Sequence, residues 1–276
     1  MRPIWQNITV LDHSLLIKRI ALDVSKSSSA NQTKLKSYLT YCCFYAANED
    51  EIYLLYIGGY QRHVPNDRQI AGPHWTFAGW EGDLIDNFHD YAAQMADAGL
   101  KPAQTNKIGW YGDVHSPAAN IYEHHTRPLL VNFTTDYPEL FDFRHSTCKK
   151  CAGYSMVDQV QKYSFLLDIG GNGLSGRLKY LLFSRRPVFL VDRDCWEYFF
   201  PDLIPYTHYI PVFRNLTNLV EQVEWARKHP IQAREIGESA HRWAVKHFTQ
   251  EHLISRIYQV LLGQCEVRAG FSSSVV

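Results

Sequence analysis

The chain has no surplus of charge of either sign. Its 276 residues carry 28 Lys and Arg against 28 Asp and Glu. Such a balance supplies no bulk field for a nucleic-acid backbone, so no nucleic-acid partner is expected, although a local basic pocket is compatible with it. Long apolar runs are also missing. Nothing approaches the roughly 18 residues of a membrane span, and the opening stretch MRPIWQNITVLDHSLLIKRI lacks the continuous apolar segment of a secretory signal. No membrane insertion and a cytoplasmic location are therefore expected. There is no internal repeat and no low-complexity tract. The six cysteines show no small-scaffold spacing, and a chain this long does not need them as staples. They read as free thiols in a reducing compartment. Cys148 and Cys151 form a lone CxxC with only His145 nearby, short of the four ligands of a structural zinc site.

What is present is an ordinary globular composition, with 46% apolar and 20% charged residues. The length suits two domains of roughly 100–200 residues. Seventeen Tyr and seven Trp could stack on sugars or bases, but most such rings belong to cores. EIYLLYIGGY reads as a buried strand ending in glycines, followed by a long loop of the kind that carries function. Asp83 caps a helix through LIDNFHDYAAQMADAG. KIGWYGD reads as a strand reaching a turn, and RPLLVNF, LLDI and PVFLV as further short strands between helical stretches. That alternation predicts a parallel sheet with crossover helices. The last third reads as helices: one capped by Thr217 or Asn218, one with Pro230 in its first turn, and one capped by Thr249. The polar segment KPAQTNK divides two α/β halves, 1–105 and 106–249, and the last helix, 250–265, is expected to return to the first half.

The segment LLDIGGNGLSGRLKYLLFSRRPVFLVDRD concentrates the chemistry. Gly171, Gly173 and Gly176 satisfy GxGxxG between a strand and a helix, and Asp192 lies about 20 residues on, where a dinucleotide site places its ribose ligand. A nicotinamide-dependent oxidoreductase is therefore one reading. Three features oppose it. The unit sits late in the chain, no second mononucleotide half follows, and the helix, about ten residues long, carries Arg177 and Lys179 in its first turn. A leaving diphosphate needs such cations, because its charge grows as the bond to a sugar breaks. Asp192 and Asp194 also form a DxD pair, which in some sugar transferases holds a metal.

The segments DIGGNGLSGRLKYLLFSRRPVFLV, WEYFFPDLIPYTHYIPV and LTNLVEQVEWARKHPIQAREIGESAHRW closely resemble the C-terminal half of glycosyltransferase family 90, which includes protein O-glucosyltransferases and capsule-associated enzymes. The resemblance is good over roughly residues 157–256, and PHWTF and WYGD match more weakly. The compact length is most similar to the short viral β-xylosyltransferases of that family, for which the location would be the host cytoplasm. The resemblance implies a GT-B fold, two Rossmann-like domains facing across a cleft, with the donor on the second. It implies inverting, metal-independent transfer of a sugar, taken here as xylose, from a UDP-sugar to a hydroxyl of a glycan or glycoprotein acceptor, with no cofactor. Carried over by position, Gly173, Ser175, Gly176 and Arg177 form the diphosphate turn, with Arg177 on the diphosphate. Gly112 and Asp113 match a second phosphate-side turn, and Arg127 a further phosphate-binding arginine.

The family's Arg-Asp-aromatic-Pro motif, whose Asp is the base, is absent after YLLYIGG. An inverting transfer still needs a group to take the acceptor proton. Asp67, in PNDR, comes soonest after the strand, with a backbone-bonded turn aspartate as its plain alternative. Asp83 ranks second and doubles as a helix cap. His74 ranks third, with an intrinsic pKa suited to a base. Trp75 and Trp80 are candidates for an acceptor platform or for buried packing. Without a base in the cleft, the chain would be a non-catalytic nucleotide-sugar binding module.

Overall fold

The structure is a computed structural model that describes residues 88–114, 127–145, 154–170, 175–193 and 195–249, with 9–10, 45–46, 60–61 and 252. The chain divides into two compact units, Met1–Phe88 with Phe248–Val276, and His89–His247. In the first, Thr9–Val10 pairs antiparallel with Tyr45–Ala46. Thr249 Oγ1 accepts from the His252 N–H at 3.2 Å, the bond expected of a helix cap.

The second unit begins one residue into the 13-residue helix α1 (Phe88–Leu100). Ala92, Met95 and Ala98 recur on one face of it and are buried. Strand β1 (Thr105–Gly112) follows, then a 3-10 turn at Arg127–Leu129 that runs into α2 (Leu130–Asp136). RPLLVNF is therefore helical, not a strand. Leu130 and Phe133 meet the core at a spacing of three, and Pro128 sits in the first turn, where its missing N–H does no harm. Strand β2 (Phe141–His145), which no sequence signal above anticipated, alternates buried Phe141 and Phe143 with half-buried Asp142 and Arg144. Helix α3 (Met156–Lys162) is fixed by a capping box between Ser155 and Asp158.

Strand β3 (Tyr163–Asp168) contains LLD, and β4 (Val188–Val191) is the VFLV run. Between them α4 (Leu178–Phe183) is only six residues long, shorter than the ten expected, and Arg177 stands before it rather than inside it. After β5 (Ile210–Val212) come α5 (Leu219–Lys228) and the 18-residue α6 (Pro230–His247), which starts at Pro230 as expected. Asn218 precedes α5 but makes no capping bond. Its Oδ1 instead accepts from the Phe213 N–H at 2.8 Å, which ties the end of β5 to the helix start.

All five strands are parallel, in the order β2-β1-β3-β4-β5. Ile108 pairs with Phe141 on one side and with Phe165 on the other, and Asp168 pairs with Leu190. The core joins Ile108, Trp110, Phe165, Phe189 and Ile210 to Val223 and Ile236 of the last two helices. β3 and β4 are buried along nearly their whole length, which is why their sequences read as unbroken apolar runs. A β-carbon on Gly109 would collide with the Tyr163 ring, so the central strand needs glycine there.

The strand order fixes the place of a site. From β1 the chain moves to β2 on one side, then returns to β3 on the other. In open α/β sheets such a reversal leaves a crevice beyond the carboxyl ends of the two strands, because the following segments diverge there. Gly112 and Asp168 are the last residues of β1 and β3.

Candidate functional site

Three guanidiniums gather at this reversal. Arg177 and Arg127 lie on the Trp110 ring, each 5.6 Å from its centroid. Arg177 Nη2 donates to the Tyr111 carbonyl at 2.9 Å. Arg127 Nη1 donates to the Asp113 carbonyl at 2.8 Å and Nη2 to that of Gly170. Arg193 is buried and pairs with Asp168, also donating to the carbonyls of Val191 and Asp168 at 3.3 Å. Asp168 is fully buried and also accepts from the Ser175 hydroxyl. One buried carboxylate thus stands among three cations.

The surplus falls on Arg177. Burial lowers its pKa, Asp168 opposes that, and the like charges of Arg127 and Arg193 add to it. Arginine does not lose its proton in proteins, so the cost remains as positive potential that an anion would relieve. Among the described residues Arg177 makes one hydrogen bond, and it can make five. The surroundings leave room: a β-carbon on Gly176 would meet nothing within 4 Å. Gly112 has the opposite reason for being glycine. A β-carbon there would lie 2.6 Å from the Trp110 ring and 3.1 Å from Arg177 Nη2, so the bare backbone permits the guanidinium's approach.

Of the residues singled out in the sequence, Gly112, Asp113, Arg127, Ser175, Gly176 and Arg177 converge here. Ser175 is committed to Asp168 through its hydroxyl, and Asp113 contributes its carbonyl to Arg127 while its carboxylate lies 3.7 Å from His145 Nδ1. Gly173, Asp67, His74, Trp75, Trp80 and Asp83 lie outside the described residues. Lys179 is not part of the site. It is fully buried and bonds Glu197 Oε1 at 3.1 Å. Burial raises the Glu197 pKa, and Lys179 opposes it. Asp192 is exposed, its backbone N–H bound to the Val212 carbonyl, and among the described residues no three His, Cys, Asp or Glu gather as for a metal. Asp168 and Arg193 were missed by the sequence reading. Their signals were a carboxylate closing an apolar strand and an arginine set between the two aspartates that drew the eye.

Cations gathered at the reversal of a parallel sheet have the chemistry that suits a phosphate-bearing ligand. The sequence profile described as Glycosyl transferase family 90 matches residues 63–264, which includes every element of this site. The chain belongs to glycosyl transferase family 90.

Among relatives, Protein O-glucosyltransferase 1 of Bos taurus is 32% identical over 201 residues, 67% of this chain and 50% of that protein. The Homo sapiens protein of the same name matches at 32% with the same coverage. Uncharacterized protein 035R of Invertebrate iridescent virus 3 is 28% identical over 105 residues, 37% of this chain and 10% of that protein. The family 90 chain spans half the length of the O-glucosyltransferases 1 it matches, and 21% of Protein O-glucosyltransferase 2 of Danio rerio. A solved structure titled Crystal Structure of TarM overlaps 58% of this chain and 36% of its own, at TM-score 0.40 and 14% identity. Among the described residues no helix is long and apolar enough to cross a membrane.

Proposed function

We propose that this chain is a glycosyltransferase that moves a sugar from a UDP-sugar to a hydroxyl of a glycan or glycoprotein, with inversion and without a metal. The observation that carries the reading is Arg177: it is held at the sheet reversal on Trp110, near the guanidiniums of Arg127 and Arg193, with a single hydrogen bond among the described residues. The acceptor oxygen attacks the anomeric carbon from one face as the bond to the diphosphate oxygen breaks on the other. Charge then accumulates on departing UDP. A guanidinium fixed there beforehand favours that state more than the ground state, and so accelerates the step. The arginines take the place that a divalent cation has in DxD transferases, so activity is expected to survive EDTA.

The donor sugar is xylose by resemblance to the short viral enzymes. UDP-glucose is the second reading, favoured by the printed names of the O-glucosyltransferase relatives. A panel of UDP-sugars with product analysis decides between them. Thermal shift separates both from the oxidoreductase reading. UDP at 100 times its dissociation constant would stabilise by about 2.7 kcal/mol; stabilisation by NAD and not by UDP would refute the proposal.

The base is assigned to Asp67, ahead of Asp83 and His74. Asp67→Asn is expected to leave UDP affinity unchanged and lower turnover about 10²–10⁴-fold. Near-normal turnover would pass the role to Asp83 or His74. Unchanged turnover in all three variants would place the base elsewhere in the chain, and absence of product from every donor of the panel would leave the chain a nucleotide-sugar binding module.

A further inference from the structure

A cavity of about 330 Å³ opens at the other end of the sheet. It lies at the amino ends of the strands, with Asn106 of β1, Ser164 of β3 and Pro187 before β4 in its wall. Its charged lining is four cations, Lys101, Arg185, Arg186 and Arg234, against one carboxylate, Glu238. Lys101 and Arg234 are exposed, and among the described residues neither side chain has an ion-pair partner. Pro230 and Ala233 place the start of α6 in the same wall. The start of an 18-residue helix also brings partial positive charge to that end.

The arginines are built in. Arg186 Nε donates to the Val160 carbonyl at 3.1 Å and its Nη2 to the Lys101 carbonyl at 2.5 Å. Arg185 Nη1 pairs with Glu238 at 2.5 Å. Arg185 also has a φ of 57°, a left-handed backbone that its β-carbon disfavours. The turn is kept in that shape by α6, where a β-carbon on Gly237 would strike the Arg185 carbonyl. Arg185 follows Ser184, the C-cap of α4, where a left-handed residue commonly ends a helix. The like charge of Arg234 adds to burial in lowering the Arg186 pKa, so the two guanidiniums repel one another across the lining.

We propose that this cavity is a second anion site, which takes a compact phosphate-bearing ligand of diphosphate size. Guanidinium forks, with the Lys101 ammonium, match phosphate oxygens in charge and donor geometry. The site is separate from the Arg177 crevice and does not depend on the donor reading. The test is calorimetric titration of the full chain with inorganic pyrophosphate. Binding is expected in the unaltered chain and in Arg177→Ala, and, with Arg177→Ala in place so that the first crevice does not report, at least tenfold weakening is expected on adding Arg234→Glu or Lys101→Glu. Both reversals fall on exposed side chains, so the fold is retained, and far-UV circular dichroism verifies it. Inorganic phosphate and a sugar 1-phosphate, run alongside, tell a mineral anion from a phosphorylated metabolite; preference for either supports the site and names its source. Absence of pyrophosphate binding, binding that survives both charge reversals in the Arg177→Ala background, or binding lost in Arg177→Ala alone would overturn the proposal.

Discussion

Both ends of the sheet gather arginines, but they hold them differently. At the carboxyl ends, carbonyls at or just past the strands take the guanidiniums: Tyr111 for Arg177, Asp113 and Gly170 for Arg127, Val191 and Asp168 for Arg193. At the amino ends the carbonyls come from helices, Val160 within α3 and Lys101 just after α1. The carboxylates differ more. Asp168 and Arg193 expose 1% and 3% of their side chains, Glu238 and Arg185 22% and 23%. The first pair is sealed in the core, where an uncompensated charge is costly; the second is partly screened by water. The same residue types therefore serve as an internal frame at one end and as an adaptable lining at the other.

The comparison breaks most clearly at the carboxylates. Asp168→Ala leaves the Arg193 guanidinium buried without a counter-charge, and loss of one partner of a buried pair costs about 3–5 kcal/mol. Glu238→Ala removes a partly hydrated partner, for which about 1 kcal/mol or less is expected. Urea unfolding of both variants measures the contrast, and equal losses would refute the division between frame and lining.

Arg177 comes next, and its loss should be read in ligand rather than in fold. A hydrogen bond to a charged group contributes about 1.5–3 kcal/mol, so Arg177→Ala should weaken UDP binding and lower turnover roughly 10- to 150-fold. Arg177→Lys should recover only part, since a point charge cannot reproduce a two-pronged contact. Unchanged UDP affinity in Arg177→Ala, measured by calorimetry, would remove the arginine from the site.

Gly112→Ala sharpens the same point with a single methyl group. The added carbon would lie 3.1 Å from Arg177 Nη2 and 2.6 Å from Trp110, so the guanidinium must shift. UDP affinity is expected to fall by up to about tenfold, or about 1.4 kcal/mol. The loss should vanish when Arg177 is already alanine, because the two changes act through one contact. Additive losses would mean that Gly112 matters for Trp110 alone.

How much of this was legible in the sequence depends on the kind of signal. β3 and β4 were readable because strands buried on both faces give unbroken apolar runs, and α6 because Pro230 marks its start. β2 was missed: its five residues, FDFRH, show period-two alternation over too short a stretch to stand out. RPLLVNF misled because four apolar residues in seven fit a buried strand as well as a one-sided helix. In the site, Arg177 was found as a cation beside the glycine pattern and Gly112 by resemblance. Asp168 and Arg193 were not, because their role is to hold one another and Ser175, and nothing local in the sequence announces a partner 25 positions away. Lys179 was misassigned for the same reason, since its partner Glu197 is distant in sequence.

The smallest expected effect is a loss of stability in mild acid, from two histidines on α6 and on the loop that follows the 3-10 turn at Phe200–Asp202. His208 Nδ1 accepts from the Ile204 N–H at 3.0 Å. His241 Nε2 lies 2.8 Å from Arg185 Nη2, which can only donate, so it accepts; its Nδ1 then donates to the Phe183 carbonyl at 3.0 Å. Both bonds require a neutral ring. Burial lowers both pKa values, with His247 adding at His208 and Arg185 at His241. Their folded values thus lie below the unfolded value of about 6.5. As pH falls through that value, the unfolded chain takes up protons that the folded chain refuses, so stability is full above it and declines below. Asp142 acts in a lower window. Burial alone would raise its pKa, but hydrogen bonds from Arg144, Tyr163 and Lys162 outweigh that and hold it well below the carboxylate range. Its contribution fades only under about pH 4. The melting temperature should therefore be level from about pH 8 to 7 and fall before pH 5, where carboxylates are still ionised. His208→Asn, which keeps an acceptor but cannot titrate, should flatten part of that fall. A melting temperature that stays level to pH 5 would show that neither ring is held neutral by the fold.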